Sequence, residues 1–272
     1  MTTETSLVQS TQRLTAEEMA DFVMNGFLLF DGLVPDEWNQ QMLSELKSYE
    51  GHKNFFWFQS ETIQKIFGLP KIKAIIDSLL GEHPVYDHSS IHIVGPKHLR
   101  GQYFHSDSMI DSRRFAFDVQ AFYFPHDTPE EMGPTLVLPG SHLRLTSNRS
   151  LARLKNVVGQ MRLAGKAGTV GFLHHGIWHC AQPNHTDTTR YMFKLRLRPG
   201  QPQRGLFDLT DYDSEMLKWK FQLLTDRHQW LGTETGVEQS NYARLWRYVT
   251  GDDHIDVSPE GVLTRIGEST PY

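Results

Sequence analysis

The sequence lacks most features that mark secreted or membrane-inserted proteins. Its 272 residues include one cysteine, Cys180, so no disulfide can form within the chain, which fits a reducing compartment. No apolar run approaches the roughly 20 residues that a transmembrane helix needs. Residues 1–15 are polar and lack the basic and then apolar segments of a signal peptide. These absences predict a cytoplasmic protein with no membrane partner.

An excess of basic residues is also missing. Lysine and arginine total 27 against 32 aspartates and glutamates, which gives a net charge of −5. Proteins that bind the phosphates of nucleic acids are expected to be basic, so no nucleic-acid partner is predicted. The composition is otherwise that of a globular protein, with 39% hydrophobic and 22% charged residues, and no repeat or linker divides it. We therefore predict a single domain over residues 1–272.

Helical spacing dominates the N-terminal part of this domain, residues 14–80. Thr15 and Glu18 form a capping box, in which each side chain accepts a hydrogen bond from the backbone of the other residue. Gly26 follows as the residue that ends the first helix. The further helices predicted in this part are residues 35–49 and 72–80.

The period changes to two between about residue 90 and residue 198, which is typical of β-strands. Residues 191–198 are the clearest case, because large apolar residues alternate there with methionine, lysine and arginine. Residues 115–124 alternate in a similar way. Turns rich in glycine and proline separate the short strands, so this part is predicted to be a β-sandwich or jelly roll.

Two other segments are predicted to be helical. Residues 148–163 are expected to form a helix inserted between strands. The C-terminal part, residues 203–272, is expected to be mixed, with helices near 214–224 and 239–249. The complete fold is therefore predicted to be mainly β with flanking helices.

A candidate metal site begins with His105-Ser-Asp107. Residues two apart on a strand point to the same side, so this imidazole and this carboxylate could reach one ion. Two histidines and one carboxylate form the facial triad of non-haem Fe(II) oxygenases, which leaves coordination positions open. The pattern alone does not decide the site, because the pairs His185/Asp187 and His254/Asp256 repeat it.

The surroundings favour the first pair. Trp178-His179 follows it in the predicted turn between two strands, and Arg190 begins the next strand. A histidine and an arginine on adjacent antiparallel strands can converge on one pocket. We therefore take His105, Asp107 and His179 as the candidate ligands.

A second set of residues has similar spacing but less support. It consists of His185, Asp187, His254 and Arg265. Residues 205–254 show helical rather than strand patterning, and the segment around His254 is rich in glycine, aspartate and proline. Too little chain remains there to build a sheet around the last histidine.

Further residues extend the favoured set into a longer pattern. Residues 133–142 read Gly-Pro-Thr-Leu-Val-Leu-Pro-Gly-Ser-His, and Pro183-Asn184 follows His179. Together with the segment 14–46, this pattern resembles the phytanoyl-CoA dioxygenase family over residues 14–198. Members of that family are Fe(II)- and 2-oxoglutarate-dependent oxygenases. The resemblance implies this class of enzyme on a double-stranded β-helix, the cupin-like form of the jelly roll.

The resemblance also implies roles for single residues. The implied iron ligands are His105, Asp107 and His179. The implied contacts to 2-oxoglutarate are Arg190, which would pair with its distal carboxylate, and Gln102 and Thr135, which would hydrogen-bond the cosubstrate. No catalytic residue beyond these ligands is predicted. Ala181 stands where the family often has a hydroxyl side chain, so that contact to the cosubstrate is not expected.

The implied reaction is oxidation of a small organic molecule by O2, most simply hydroxylation, with succinate and CO2 as coproducts. Two alternatives stay open. A cupin-type metal-dependent hydrolase or isomerase would use the same three ligands without needing Arg190. A non-catalytic, ligand-binding jelly roll would need no metal. The residues predict neither the substrate nor the oligomeric state.

Overall fold

Helices form most of the N-terminal part, as the sequence predicts. The computed structural model describes residues 12–108, 115–143, 154–212 and 234–252, with side chains in the last segment from residue 241. The helices of the N-terminal part are α1 (Ala16–Asn25), α2 (Asp36–Ser48), α3 (Phe56–Gln59), α4 (Glu61–Phe67) and α5 (Pro70–Leu80). In the C-terminal part, α6 (Glu234–Thr250) confirms the helix expected near 239–249. The helix expected at 214–224 lies outside the described residues.

The first helix begins at the predicted capping box and ends at the predicted glycine. The Thr15 hydroxyl accepts a hydrogen bond from the Glu18 N–H at 3.1 Å, and the Glu18 carboxylate accepts one from the Thr15 N–H at 3.0 Å. These two bonds close the capping box. Gly26 ends the helix with φ of 78°, in the left-handed region that glycine adopts without a steric penalty.

One strand interrupts the helical N-terminal part, which the sequence predicts as helices alone. β1 (Phe27–Phe30) follows α1 directly and pairs antiparallel with β6 (Thr169–His174), with Phe27 opposite Leu173. A run of four apolar residues suits a strand or a buried helical turn equally well. The distant partner strand, rather than the local pattern, therefore determines this conformation.

Two antiparallel sheets form the predicted β core. The strands between β1 and β6 are β2 (Val85–Val94), β3 (Val119–Phe124), β4 (Leu136–Val137) and β5 (Met161–Arg162), and those after β6 are β7 (His179–Cys180) and β8 (Arg190–Arg198). The larger sheet has the order β1-β6-β3-β8-β2, and the smaller sheet has the order β5-β4-β7. The mainly β architecture with flanking helices is confirmed.

The larger sheet separates two hydrophobic layers. Val119, Ala121 and Tyr123 of β3 belong to the layer that contains the helices. Phe122, on the opposite face of β3, belongs to a second layer together with Val137 of the smaller sheet. All six residues of β3 are buried, and their alternation is the one that the sequence predicts. The candidate site residues lie on the side of the second layer.

The helix expected at residues 148–163 is wrong in the part that the structure describes. Residues 154–160 are not helical, and Met161–Arg162 forms β5, which pairs with β4. Gly159 has φ of 83°, a left-handed conformation that interrupts a helix. The Leu163 N–H continues the strand pairing by donating to the Thr135 carbonyl at 2.9 Å.

The C-terminal helix packs against the N-terminal part of the chain. Tyr242, Leu245 and Trp246 of α6 belong to the same hydrophobic layer as Phe22 of α1. The organisation of residues 1–272 as a single domain stays a prediction. Within the described segments, no helix has the length and apolar character needed to cross a bilayer.

Candidate metal centre

The three predicted ligands lie together beside the smaller sheet. His179 begins β7, opposite Val137, so its predicted position in a turn is wrong. An isolated antiparallel bridge joins His105 to His179, with N–H···O distances of 3.0 and 2.8 Å. Asp107 follows in a bend rather than in a continuous strand. The bend, and not strand alternation, therefore brings the carboxylate to the two imidazoles.

The ligand atoms of these side chains face one another. Nε2 of His105 lies 3.7 Å from Oδ1 of Asp107, and Nε2 of His179 lies 3.8 Å from Oδ2. The Nδ1 atoms of the two histidines face the carbonyls of Tyr103 and Ile177, at 3.0 and 3.1 Å. A proton on each Nδ1 leaves both Nε2 lone pairs directed at one point. Among the described residues, no other group of three His, Cys, Asp or Glu side chains is arranged to hold a metal ion.

The charge states of these groups suit a divalent cation. His179 is 5% exposed, and burial lowers its pKa to about 4, so the imidazole is neutral at neutral pH. For Asp107, burial acts to raise the pKa, but the charges of Lys194 and His179 and the hydrogen bonds from Lys194 and Gln120 hold it below its usual range. The carboxylate is therefore ionised. Two imidazoles and one carboxylate are the donor set of non-haem iron centres, so these residues fit Fe(II).

Two residues that the sequence motifs do not include contact Asp107. Nε2 of Gln120 and Nζ of Lys194 lie 2.5 and 2.6 Å from Oδ2 of the aspartate. They project from β3 and β8, where Phe122 is the residue opposite Lys194. Period-two alternation already places both side chains on the polar faces of their strands. The contact with Asp107 depends on the register of distant segments, which no local pattern contains.

Arg190 is a buried cation at the start of β8. Its side chain is on the same face of the strand as Lys194, four residues further on. The guanidinium donates a hydrogen bond to the Met132 carbonyl at 3.3 Å, and within the described segments no carboxylate lies within 4.0 Å of it. Burial lowers the pKa of Arg190 to about 10, so the group stays charged at neutral pH. A buried charge without a partner is costly, so this position suits an anionic group.

The remaining predicted contacts, Gln102 and Thr135, lie next to the segments that carry the histidines. Gln102 is exposed. Its backbone N–H donates a hydrogen bond to the Ala181 carbonyl at 2.8 Å, and its side-chain Oε1 accepts one from the Ala181 N–H at 3.1 Å. These bonds tie the segment before His105 to the residue after β7. Thr135 is buried immediately before β4. Their contacts with the cosubstrate stay predictions.

Gly133 supports the position of Arg190. It has φ of 70°, and a Cβ atom at this residue would overlap the backbone carbonyl of Pro183. The preceding residue, Met132, supplies the carbonyl that accepts from Arg190. The glycine of the 133–142 motif is therefore required for close backbone packing beside the arginine.

Replacing Gly133 with alanine is expected to lower the free energy of unfolding by about 2–3 kcal/mol, through positive φ and steric overlap together. Gly32 is the matched control, because it has φ of 66° and no atom near the position of a Cβ. Gly32→Ala is expected to cost only about 1 kcal/mol, from φ alone. Chemical denaturation of both variants measures the difference, and equal losses would contradict the proposed overlap.

The described residues of the second His-x-Asp set lie at the surface. His185 is exposed, and its backbone N–H donates to the Glu131 carbonyl at 2.8 Å. The side chain of Asp187 is 86% exposed and lies 3.3 Å from the Lys97 ammonium. His254 and Arg265 lie outside the described residues.

The fold and the donor set together define a jelly-roll protein with a candidate site for one divalent metal ion. The model of the family described as phytanoyl-CoA dioxygenase (PhyH) matches residues 22–192. The chain belongs to this family, which confirms the prediction of a 2-oxoglutarate-dependent, non-haem iron oxygenase. No curated protein matches the chain in a sequence comparison.

Several solved structures share the fold. The epimerase SnoN, in complex with Fe3+, alpha ketoglutarate and nogalamycin RO, is 19% identical with a TM-score of 0.55, over 67% of this chain and 82% of SnoN. HygX from Streptomyces hygroscopicus, with nickel and 2-oxoglutarate bound, is 15% identical with a TM-score of 0.58, over 69% of this chain and 87% of HygX. The carbocyclase SnoK from nogalamycin biosynthesis is 17% identical with a TM-score of 0.57, over 70% of this chain and 86% of SnoK. These similarities confirm the predicted double-stranded β-helix.

Proposed function

We propose that this protein is an Fe(II)- and 2-oxoglutarate-dependent dioxygenase that hydroxylates a small organic molecule. The observation that carries the proposal is the combination of the His-Asp-His cluster with a buried arginine that lacks a carboxylate partner within the described residues. The cluster alone would suit a zinc hydrolase equally well. The arginine adds a site for a carboxylate, which a dicarboxylic cosubstrate requires and simple hydrolysis does not.

Each residue has a defined task in this proposal. The iron ligands are His105, Asp107 and His179, and the cosubstrate contacts are Arg190, Gln102 and Thr135. The backbone carbonyls of Tyr103 and Ile177 hold the two imidazole rings with Nε2 directed at the metal. The planar guanidinium of Arg190 can bind the distal carboxylate through two parallel hydrogen bonds.

Apolar side chains flank the centre at His179, whereas the side chains of His105 and Asp107 are 40% and 25% exposed. Iron and 2-oxoglutarate, when bound, supply the oxidising chemistry, which uses O2 and releases succinate and CO2. The apolar layer lies beside His179: the Phe122 ring centroid lies 6.4 Å from that of His179, and Ile177 and Met192 belong to the same layer as Phe122.

The proposal predicts an optical signature that does not depend on knowing the substrate. Under anaerobic conditions, adding 2-oxoglutarate to the Fe(II)-loaded protein is expected to produce a weak visible charge-transfer band. Succinate is the control, because it lacks the keto group and is expected to give no band. Protein that binds iron but gives no band with 2-oxoglutarate would contradict the proposed function and favour a cupin-type hydrolase or isomerase.

The type of substrate is proposed by analogy with the structural neighbours, since SnoN was crystallised with nogalamycin RO. We therefore propose a small organic molecule as the substrate. A screen of such compounds that measures succinate release is the test. The cytoplasmic location and the absence of a nucleic-acid partner stay predictions from the sequence.

A further inference from the structure

Lys194 contacts a proposed iron ligand but has no role in the proposed function. Its side chain is only 12% exposed, and Nζ lies 2.6 Å from Oδ2 of Asp107 and 5.9 Å from the ring centroid of Phe122. Among the described residues, Asp107 is the one carboxylate within 4.0 Å of this ammonium. Removing the partner of a buried charge is strongly destabilising, so the stability of the Lys194 ammonium depends on Asp107.

The next cation on the same face of β8 is already neutralised. Arg196 lies 2.5 Å from Asp118 and 3.2 Å from Asp87. Gln120, which contacts the same oxygen of Asp107 as Lys194 does, is uncharged. Among the described residues, Lys194 therefore supplies the positive charge closest to the aspartate that the proposed function assigns to iron.

The formal charges of the centre depend on what is bound. Without metal, Lys194 and Asp107 neutralise each other. A ferrous ion at the same carboxylate leaves an excess of two positive charges, because the ammonium and the dication share one aspartate. One carboxylate of 2-oxoglutarate is neutralised by Arg190, and the other reduces the excess to one. A positive charge at Lys194 thus opposes binding of the cation and favours binding of the dianion.

We propose that Lys194 couples the two binding steps. Its charge weakens the affinity for Fe(II) alone and strengthens the affinity of the iron-loaded protein for 2-oxoglutarate. The inference rests on the proposed function of the site. It goes beyond that function by assigning to one residue the balance between metal binding and cosubstrate binding.

The test is the variant Lys194→Met, which keeps a long apolar side chain and removes the charge. Competition with a chromophoric chelator under anaerobic conditions measures the dissociation constant of Fe(II). The amplitude of the charge-transfer band measures the dissociation constant of 2-oxoglutarate. We expect Fe(II) to bind about tenfold more tightly and 2-oxoglutarate about tenfold more weakly than in the unsubstituted protein.

Opposite changes in the two dissociation constants distinguish charge coupling from a structural role. Loss of a structural role would lower the affinity for both Fe(II) and 2-oxoglutarate. Lys194→Gln can still donate a hydrogen bond to Asp107 and is expected to show the same reversal; Lys194→Arg, which keeps the charge, is expected to show none. Lys166→Met is the matched control, because it removes an exposed lysine that lies 3.1 Å from Asp127. It is expected to change neither constant.

Two results separate the possible failures. If Lys194→Met and Lys194→Gln both bind Fe(II) and 2-oxoglutarate more weakly, or bind both with unchanged affinity, the coupling role of Lys194 is wrong and the proposed function stands. If the unsubstituted protein binds iron but gives no band with 2-oxoglutarate, the proposed function fails and the inference fails with it. Thermal unfolding of each metal-free variant establishes that it is folded.

Discussion

Replacing His179 with alanine is expected to abolish iron binding and turnover. His179 is 5% exposed and is one of the three proposed ligands, and its Nε2 faces the Asp107 carboxylate. Two protein ligands hold a divalent ion much less tightly than three, and loss of even an outer partner of a metal ligand costs about 10–100-fold. We expect at least a 100-fold loss of succinate formation. Metal content after desalting measures the binding.

The control for this variant is His185→Ala. His185 belongs to the second His-x-Asp set, and it is exposed on the surface. Its replacement is expected to leave iron content and unfolding temperature unchanged. Loss of iron in His185→Ala with full iron in His179→Ala would transfer the metal site to the second set.

Replacing Arg190 with alanine is expected to separate cosubstrate binding from metal binding. Arg190 is 3% exposed and, within the described part of the chain, donates one hydrogen bond, to the Met132 carbonyl, so a carboxylate at this position would gain a desolvated charge pair. Truncating one partner of such a pair costs about 2–5 kcal/mol, or roughly 30-fold to several thousand-fold in affinity. We therefore expect the dissociation constant of 2-oxoglutarate to rise by about 100-fold while Fe(II) still binds.

Titration of the charge-transfer band with 2-oxoglutarate measures this change. Arg162→Ala is the control, because Arg162 is an exposed arginine that lies 3.7 Å from Glu130, and its loss is expected to change nothing. A cupin-type hydrolase would keep its activity without Arg190. An unaltered dissociation constant in Arg190→Ala would exclude the assignment of this residue to the cosubstrate.

The sequence predicts best the elements whose two faces differ. Residues 191–198 and 119–124 alternate because one face of each strand packs under helices and the other faces the site. The first segment is confirmed as predicted, whereas residues 115–118 of the strand predicted at 115–124 lie outside β3. β5 and β7 contain two residues each, too few to show any period. β1 depends on a distant partner, and the positive φ of Gly159 breaks a pattern that otherwise suits a helix.

Some residues of the candidate site can likewise be predicted from the sequence, and others cannot. His105, Asp107, His179 and Arg190 can be selected from residue type, spacing and neighbouring motifs, without knowledge of the fold. Gln120 and Lys194 cannot, because their importance comes from contact with Asp107 across strands that are far apart in the sequence. Strand alternation gives the face of a side chain but not its neighbour on another segment.

The backbone bridge between His105 and His179 bears on how the centre is assembled. Two main-chain hydrogen bonds hold His105 and His179 side by side, so these two proposed ligands are preorganised before any ion arrives. In zinc fingers, by contrast, the ion itself drives folding. Chelation should therefore yield an intact apoprotein that can be reconstituted, with the ion adding only the stability that mass action provides.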